Sequence, residues 1–169
     1  MTDLIIRPVC DADLASLNLI FDYYVMNGHV TFRTELWTLE ERRIWLRNYD
    51  GKRYQVLVGQ IDDQIVGCAY SSRYRSNSPF DTTVETSIYL EHTFHRKGTG
   101  TALYTALLDN LRSQSVHVAV AGIALPNDAS IALHRKLGFE EVGTFKEYAR
   151  KNGEWISSVW FQRFIEPAP

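Results

Sequence analysis

The chain has 169 residues, of which 45% are apolar and 22% charged, enough for one core of ordinary size. Lysine and arginine total 18 against 20 aspartates and glutamates, a formal charge of −2, so neither a basic nucleic-acid face nor an acidic tail is indicated. No apolar run reaches the about 20 residues of a membrane span, the start Met1–Pro8 lacks the core of a secretion signal, and the two cysteines, Cys10 and Cys68, form no metal or redox pair. The expectation is a single domain over residues 1–169, with 166–169 as a flexible tail. It should sit in the cytoplasm, with no nucleic-acid or membrane partner.

A first strand is predicted at Leu4–Arg7. Asp11 should then cap a helix whose Leu14, Leu17, Phe21 and Tyr24 share one face. Gly28 falls in the loop that follows, and Thr38-Leu-Glu-Glu41 reads as a capping box opening a second helix to about Tyr49. Tyr54–Ile61 and Gln64–Ser72 form a hairpin turning at Asp62-Asp63. A polar loop, Tyr74–Asp81, leads to a strand at Thr83–Leu90. There Val84, Thr86, Ile88 and Leu90 alternate with Glu85, Ser87 and Tyr89.

Gly98-Thr-Gly100 opens a helix carrying Leu103, Leu107 and Leu111, and the apolar run Val116–Ala124 reads as a buried central strand. Strand, helix and strand over this length make a βαβ unit. Pro126-Asn-Asp128 starts another helix, which Gly138 stops. Two further strands follow, at about Phe139–Ala149 and Trp155–Phe164. The order β-α-α-β-β-β-α-β-α-β-β defines an α/β domain with a mixed sheet.

His95-Arg-Lys-Gly-Thr-Gly100 stands between a strand and a helix. Glycines there let backbone approach a ligand, the first N–H groups of a helix lack internal partners, and a pyrophosphate is the natural guest. Arg96 and Lys97 would add charge. A P-loop is excluded because no Gly-Lys-Ser/Thr follows, and a dinucleotide fingerprint because Leu103 stands where a small residue is needed.

At this turn the chain resembles the GNAT acetyltransferases, which carry Gln/Arg-x-x-Gly-x-Gly/Ala in this element order. Thr83-Val-Glu-Thr-Ser-Ile-Tyr-Leu90, Ala121-Gly-Ile-Ala-Leu-Pro-Asn-Asp-Ala-Ser130, Leu133-His-Arg-Lys-Leu-Gly-Phe139 and Lys151-Asn-Gly-Glu-Trp155 extend the likeness. They resemble the phosphinothricin and methionine sulfoximine acetyltransferase branch. The resemblance implies a mixed, mostly antiparallel sheet splayed between strands 4 and 5 and flanked by helices, with acetyl-CoA in the opening. It implies that Ile88, Tyr89 and Leu90 hold pantetheine through their backbone, that Arg96, Lys97, Gly98, Thr99, Gly100 and Thr101 hold the pyrophosphate, and that Asn127 and Lys136 lie along the cofactor. It also implies a homodimer. Two positions depart from the pattern: His95 replaces the usual Gln or Arg, and Ser157 replaces an Asp after Trp155.

An attacking amine must first lose a proton, and a modest base suffices when its pKa is about 8. Glu85 is the candidate. By residue type alone it reads as a solvated strand carboxylate; the resemblance makes it the base. A backbone N–H near Ile88–Leu90 would hold the developing oxyanion. His134 stands where many GNAT enzymes place a tyrosine. It either donates to the departing thiolate or is a helix histidine packed near the core. Arg75, where the resemblance implies an arginine facing a substrate carboxylate, would pair with it or is a solvated loop arginine; Ser76, Asn77, Thr86 and Ser87 would complete a polar pocket, and Phe32 and Phe80 are its walls or simple core. The remaining histidines lack ligand spacing, and no metal is expected.

The reading is thus direct acetyl transfer from acetyl-CoA to the amine of a small amino-acid-like molecule. Other acceptors remain open: a protein N-terminus, a polyamine or an antibiotic. So does an acyl-CoA-binding module without turnover.

Overall fold

The computed structural model describes residues 3–94 and 98–167. His95, Arg96 and Lys97 lie outside the described residues, as do residues 168 and 169 of the expected tail. β1 (Ile5–Pro8) leads through a 3₁₀ turn, Asp11–Asp13, into α1 (Leu14–Met26) and α2 (Leu39–Leu46). Then come β2 (Gln55–Ile61), β3 (Gln64–Arg73), β4 (Thr83–Leu90), α3 (Thr99–Leu111), β5 (Val118–Ala124), α4 (Asp128–Lys136), β6 (Glu140–Lys151) and β7 (Glu154–Phe164). The strands form one seven-stranded sheet in the order β1-β2-β3-β4-β5-β7-β6. Every neighbouring pair is antiparallel except β4 and β5.

The element order is the one read from the sequence, and local chemistry explains most boundaries. Thr38 caps α2 as a capping box: its hydroxyl accepts the Glu41 N–H at 3.2 Å while the Glu41 carboxylate accepts the Thr38 N–H at 2.7 Å. Gly138 takes φ +77° just past α4, as a helix stop requires. One cap differs from the expected residue. Asp13, not Asp11, serves the α1 entry: its carboxylate accepts the Cys10 N–H at 2.8 Å and pairs with both terminal nitrogens of Arg7 at 2.7 and 2.8 Å. Asp11 faces outward and meets Arg43. A two-residue loop, Asn152-Gly153, with φ of +52° and +87°, joins β6 to β7. This is the primed turn that Asn-Gly favours.

Two apolar clusters cover the two faces of the sheet. On one, Leu57, Ala69, Val84 and Phe161 pack with Leu103, Tyr104, Leu107 and Leu111 of α3. On the other, Val56, Val58 and Cys68 pack with Leu14, Leu17, Ile20 and Phe21 of α1. α2 adds Arg42, only 1% exposed, whose guanidinium stacks on Phe21, Trp37 and Trp45. Burial first, and then the charge of Arg33, brings its pKa down to about 10.

The sheet is continuous through β3 and β4, which pair from Arg73–Val84 to Gly67–Leu90. β4 and β5 pair only over Thr83–Val118, Val84–Ala119 and Glu85–Val120. Beyond Glu85 the two strands part, and this opening positions the site.

Candidate active site

Alternation along β4 divides its side chains between the two faces, and cross-strand register fixes their neighbours. Glu85 stands opposite Ser72, Ser87 opposite Tyr70, and Tyr89 opposite Cys68, all on the α1–α2 side. Thr86, Ile88 and Leu90 turn to the α3 side. Where β4 leaves β5, a cavity of about 270 Å³ opens between the strands. Thr86–Leu90 form one wall, Ala121–Ala124 with Asn127, Ala129, Ser130, Leu133 and His134 the other, and Tyr24 and Val30 add to the lining.

The start of α3 closes one end. Gly98 caps the helix at φ +97°, a left-handed conformation that glycine adopts without strain. A Cβ at Gly100 would sit 3.2 Å from Leu90 Cδ1 and 3.6 Å from Leu133 Cδ2. Glycine there lets the helix N-terminus approach the cavity wall. Thr101 and Lys136 face each other across the same end, Lys136 Nζ donating to Thr101 Oγ1 at 3.4 Å. Asn127 serves the fold as well as the cavity, since its side-chain oxygen caps α4 by accepting the Ser130 N–H at 3.2 Å. The residues fit acetyl-CoA: an unpaired strand edge offers backbone groups to an amide-bearing chain, and a helix N-terminus with glycines offers N–H groups to phosphates. Arg96 and Lys97, also expected there, fall outside the described residues.

Glu85 is half-buried, and burial raises its carboxyl pKa above the ordinary value. Around it the sequence reading missed an aromatic set. Trp45, Tyr49 and Tyr70 line a second cavity of about 630 Å³ with Ser72, the cross-strand neighbour of Glu85. Burial pushes the phenols of Tyr49, Tyr70 and Tyr89 upward, so all three keep their protons and remain donors. Tyr70 was detectable as the register partner of Ser87; Tyr49 arrives from the end of α2 and carries no sequence signal.

Thr86 does not reach this pocket. It is buried on the opposite face, its hydroxyl 2.6 Å from Tyr104 Oη and 3.2 Å from the Val120 carbonyl. Tyr104 Oη in turn lies 3.1 Å from His134 Nε2, and His134 Nδ1 lies 2.8 Å from the Ser130 carbonyl. The carbonyl can only accept, so Nδ1 carries the hydrogen. Nε2 must then accept from the tyrosine. Burial lowers the His134 pKa and keeps the ring neutral. The histidine is both packed in the core, at 2% exposed, and part of the cavity wall.

Arg75, Ser76 and Asn77 are exposed on the loop between β3 and β4. The Arg75 guanidinium stacks on Tyr74 and Phe80, both at 5.1 Å. Tyr74 meets Trp160 edge-on, and the indole of Trp160 covers Gly122 in the cavity wall. Arg75 is thus joined to the cavity wall through Tyr74 and Trp160 and does not itself line the cavity. Phe32 is exposed and packs on Tyr148 of β6 at 5.8 Å. The Ser157 hydroxyl accepts the Glu147 N–H at 3.0 Å across an irregular stretch of β6. Among the described residues, no group of three or more His, Cys, Asp or Glu side chains could hold a metal ion.

A sheet parted after three registers, with a glycine-started helix at one end of the opening and a partly buried carboxylate at its edge, defines an acyl-CoA-dependent transferase. The chain matches the acetyltransferase (GNAT) domain over residues 6–160 and belongs to that family. It is an acetyl-CoA-dependent N-acetyltransferase, with acetyl-CoA as its co-substrate. It is 40% identical to a phosphinothricin N-acetyltransferase of Streptomyces coelicolor over 161 residues, 94% of each chain. It is 32% identical to an L-methionine sulfoximine/L-methionine sulfone acetyltransferase of Pseudomonas aeruginosa, over 96% of this chain and 95% of the relative. The crystal structure of a phosphinothricin acetyltransferase from Sinorhizobium meliloti in complex with acetyl-CoA superposes with a TM-score of 0.91 at 31% identity, over 98% of this chain and 90% of that one.

Proposed function

We propose that this enzyme acetylates the amine of a small amino-acid-like substrate of the phosphinothricin or methionine sulfoximine kind, with Glu85 as the base. The observation that carries the reading is the place of Glu85: half-buried, with a raised pKa, on the last residue of β4 still paired to β5. A carboxylate of raised pKa is a better proton acceptor near neutrality than a solvated one. Acetyl-CoA supplies an activated thioester. The protein holds the acceptor, takes up its proton at Glu85 and excludes water with Tyr49, Tyr70 and Tyr89. No acyl-enzyme is needed: Cys68 is fully buried with its thiol pushed up to about 12, and Cys10 lies outside the cavity.

His134 acts as a neutral imidazole in this scheme. Its Nε2 accepts from Tyr104 and its Nδ1–H is given to the Ser130 carbonyl, so the ring has no proton to offer the departing thiolate and serves as a wall of the cleft. Arg75 receives the substrate carboxylate from the β3–β4 loop, with Ser76, Asn77 and Ser87 as polar neighbours.

We further propose that a single domain spans the chain, that it works in the cytoplasm where acetyl-CoA is available, and that it forms a homodimer. β6 supports the last point. It is an edge strand, and Val142, Phe145 and Tyr148 on it and Trp155 opposite are exposed at 46 to 63%. An apolar edge of this length calls for a cover.

Thiol release from acetyl-CoA, measured with phosphinothricin, methionine sulfoximine, common amino acids, spermidine and a peptide N-terminus, tests the substrate class. Turnover fastest on the first two is the expected result. Preference for spermidine or the peptide would move the assignment to another acceptor, and acetyl-CoA binding without turnover would make the protein a binding module.

A further inference from the structure

Lys151, the last residue of β6, is 4% exposed. Lysine is almost never buried without a partner charge. Among the described residues no carboxylate lies within ion-pair distance of it. Its Nζ instead donates to the Thr31 carbonyl at 3.0 Å and toward the Tyr24 carbonyl at 3.5 Å. Tyr24 lies in the last turn of α1, where carbonyls lack helical donors and a positive charge is favoured. Desolvation lowers the Lys151 pKa, so the burial has a cost that an apolar side chain would avoid.

Its two acceptors bracket a strap, residues 24–31, that crosses the mouth of the cleft. At one wall the Tyr24 hydroxyl donates to the Leu90 carbonyl at the end of β4, at 2.8 Å. At the other wall His29 Nε2 lies 3.0 Å from the Pro126 carbonyl, next to the Asn127 cap of α4. Tyr24 itself, and Val30 next to His29, face the cavity. Phe32, just past the strap, rests on Tyr148 of the hairpin that carries Lys151. The strap is thus tied to β4, to the turn before α4 and to the β6–β7 hairpin, and Lys151 makes the buried tie.

We propose that Lys151 is a positioning residue for the co-substrate: it fixes the strap across the cleft so that Tyr24 and Val30 wall the acetyl-CoA arm against Leu90 and Asn127. This rests on the reading of the cleft as the acetyl-transfer site.

The test compares Lys151→Met, Lys151→Arg, His29→Ala and the Lys151→Met/His29→Ala double variant with the wild-type enzyme. Lys151→Met should weaken acetyl-CoA binding about tenfold while kcat and the KM for the amine change less than about twofold. Lys151→Arg, which keeps charge and donors, should recover most of the loss. Lys151 and His29 tie different ends of one strap, so the double variant should lose less than the product of the single losses. Unchanged acetyl-CoA affinity, an equal loss in amine KM, no rescue by arginine, or multiplying losses would each overturn the proposal. Hydrogen exchange gives a readout that does not depend on the acceptor. Amides 27–31 should exchange faster in Lys151→Met while those of β3 and β5 do not, and unchanged exchange overturns the proposal. Failure of the wild-type enzyme to turn over any amine would instead strike the substrate reading and leave this second measurement to decide the strap.

Discussion

The two faces of β4 solve opposite problems with the same strand. On the α3 side, Thr86, Tyr104 and His134 form a closed chain in which each hydroxyl and ring nitrogen is engaged within the protein. On the α1–α2 side, Glu85 stands half-buried near Tyr49 and the Tyr70 cavity, its carboxyl held above its ordinary pKa. One face spends its polar groups on rigidity; the other keeps them available. Alternation alone produces this division: a shift of one residue would exchange the two sets.

The sharpest break of the comparison is at Glu85. Glu85→Gln keeps shape and removes the base, so kcat should fall by about 10²- to 10⁴-fold with acetyl-CoA affinity retained. A variant with near wild-type kcat would reduce Glu85 to a strand carboxylate. A smaller effect is expected at the β3–β4 loop, where Arg75→Ala should raise KM for an amino-acid substrate by roughly tenfold and leave kcat nearly constant. Unchanged KM would mean that the guanidinium stacked on Tyr74 and Phe80 serves the loop alone.

On the closed face the loss should appear in stability. Tyr104→Phe leaves His134 Nε2 without its donor, while the Thr86 hydroxyl keeps the Val120 carbonyl, and the loss costs about 1–3 kcal/mol, read as a lower denaturant midpoint. A large fall in kcat at unchanged stability would instead make the tyrosine part of the chemistry.

The smallest effects concern pH. Burial raises the Glu85 pKa, and the base must be ionised, so kcat/KM should rise with pH through a value above the ordinary carboxylate range. Glu85→Gln should abolish that limb and leave the one belonging to the amine. For His134 the folded-state pKa is lowered, so below about 6.5 the unfolded chain binds a proton that the native ring refuses. Stability should therefore decline as pH falls from there, and His134→Gln should flatten the decline.

Sequence made the closed face far more legible than the open one. Period-2 alternation in Thr83–Leu90 and period-3.6 leucines in α3 are local signals, and the strand limits and buried face follow from them. The turn Gly98-Thr-Gly100 was equally local. What escaped depends on long-range packing. Tyr49 reaches the site from the end of α2, and Lys151 bonds carbonyls 127 and 120 residues earlier in the chain. The polar type of Thr86 suggests the substrate pocket, whereas its alternation with Val84 puts it on the α3 side, where the structure has it. Asp11 and Asp13 both suit a cap by type, and Arg7, from the preceding strand, decides between them.

The short pairing of β4 with β5 has a thermodynamic side. Beyond Glu85 the sheet is one strand short, and its free edge can be completed by a ligand that hydrogen-bonds along it. Such a ligand binds the native state and not the unfolded chain. At a concentration a hundred times its Kd it adds about 2.7 kcal/mol to the stability of the fold. The lifetime of this protein should therefore follow the acetyl-CoA supply, so that a chain starved of its co-substrate is both idle and more easily unfolded.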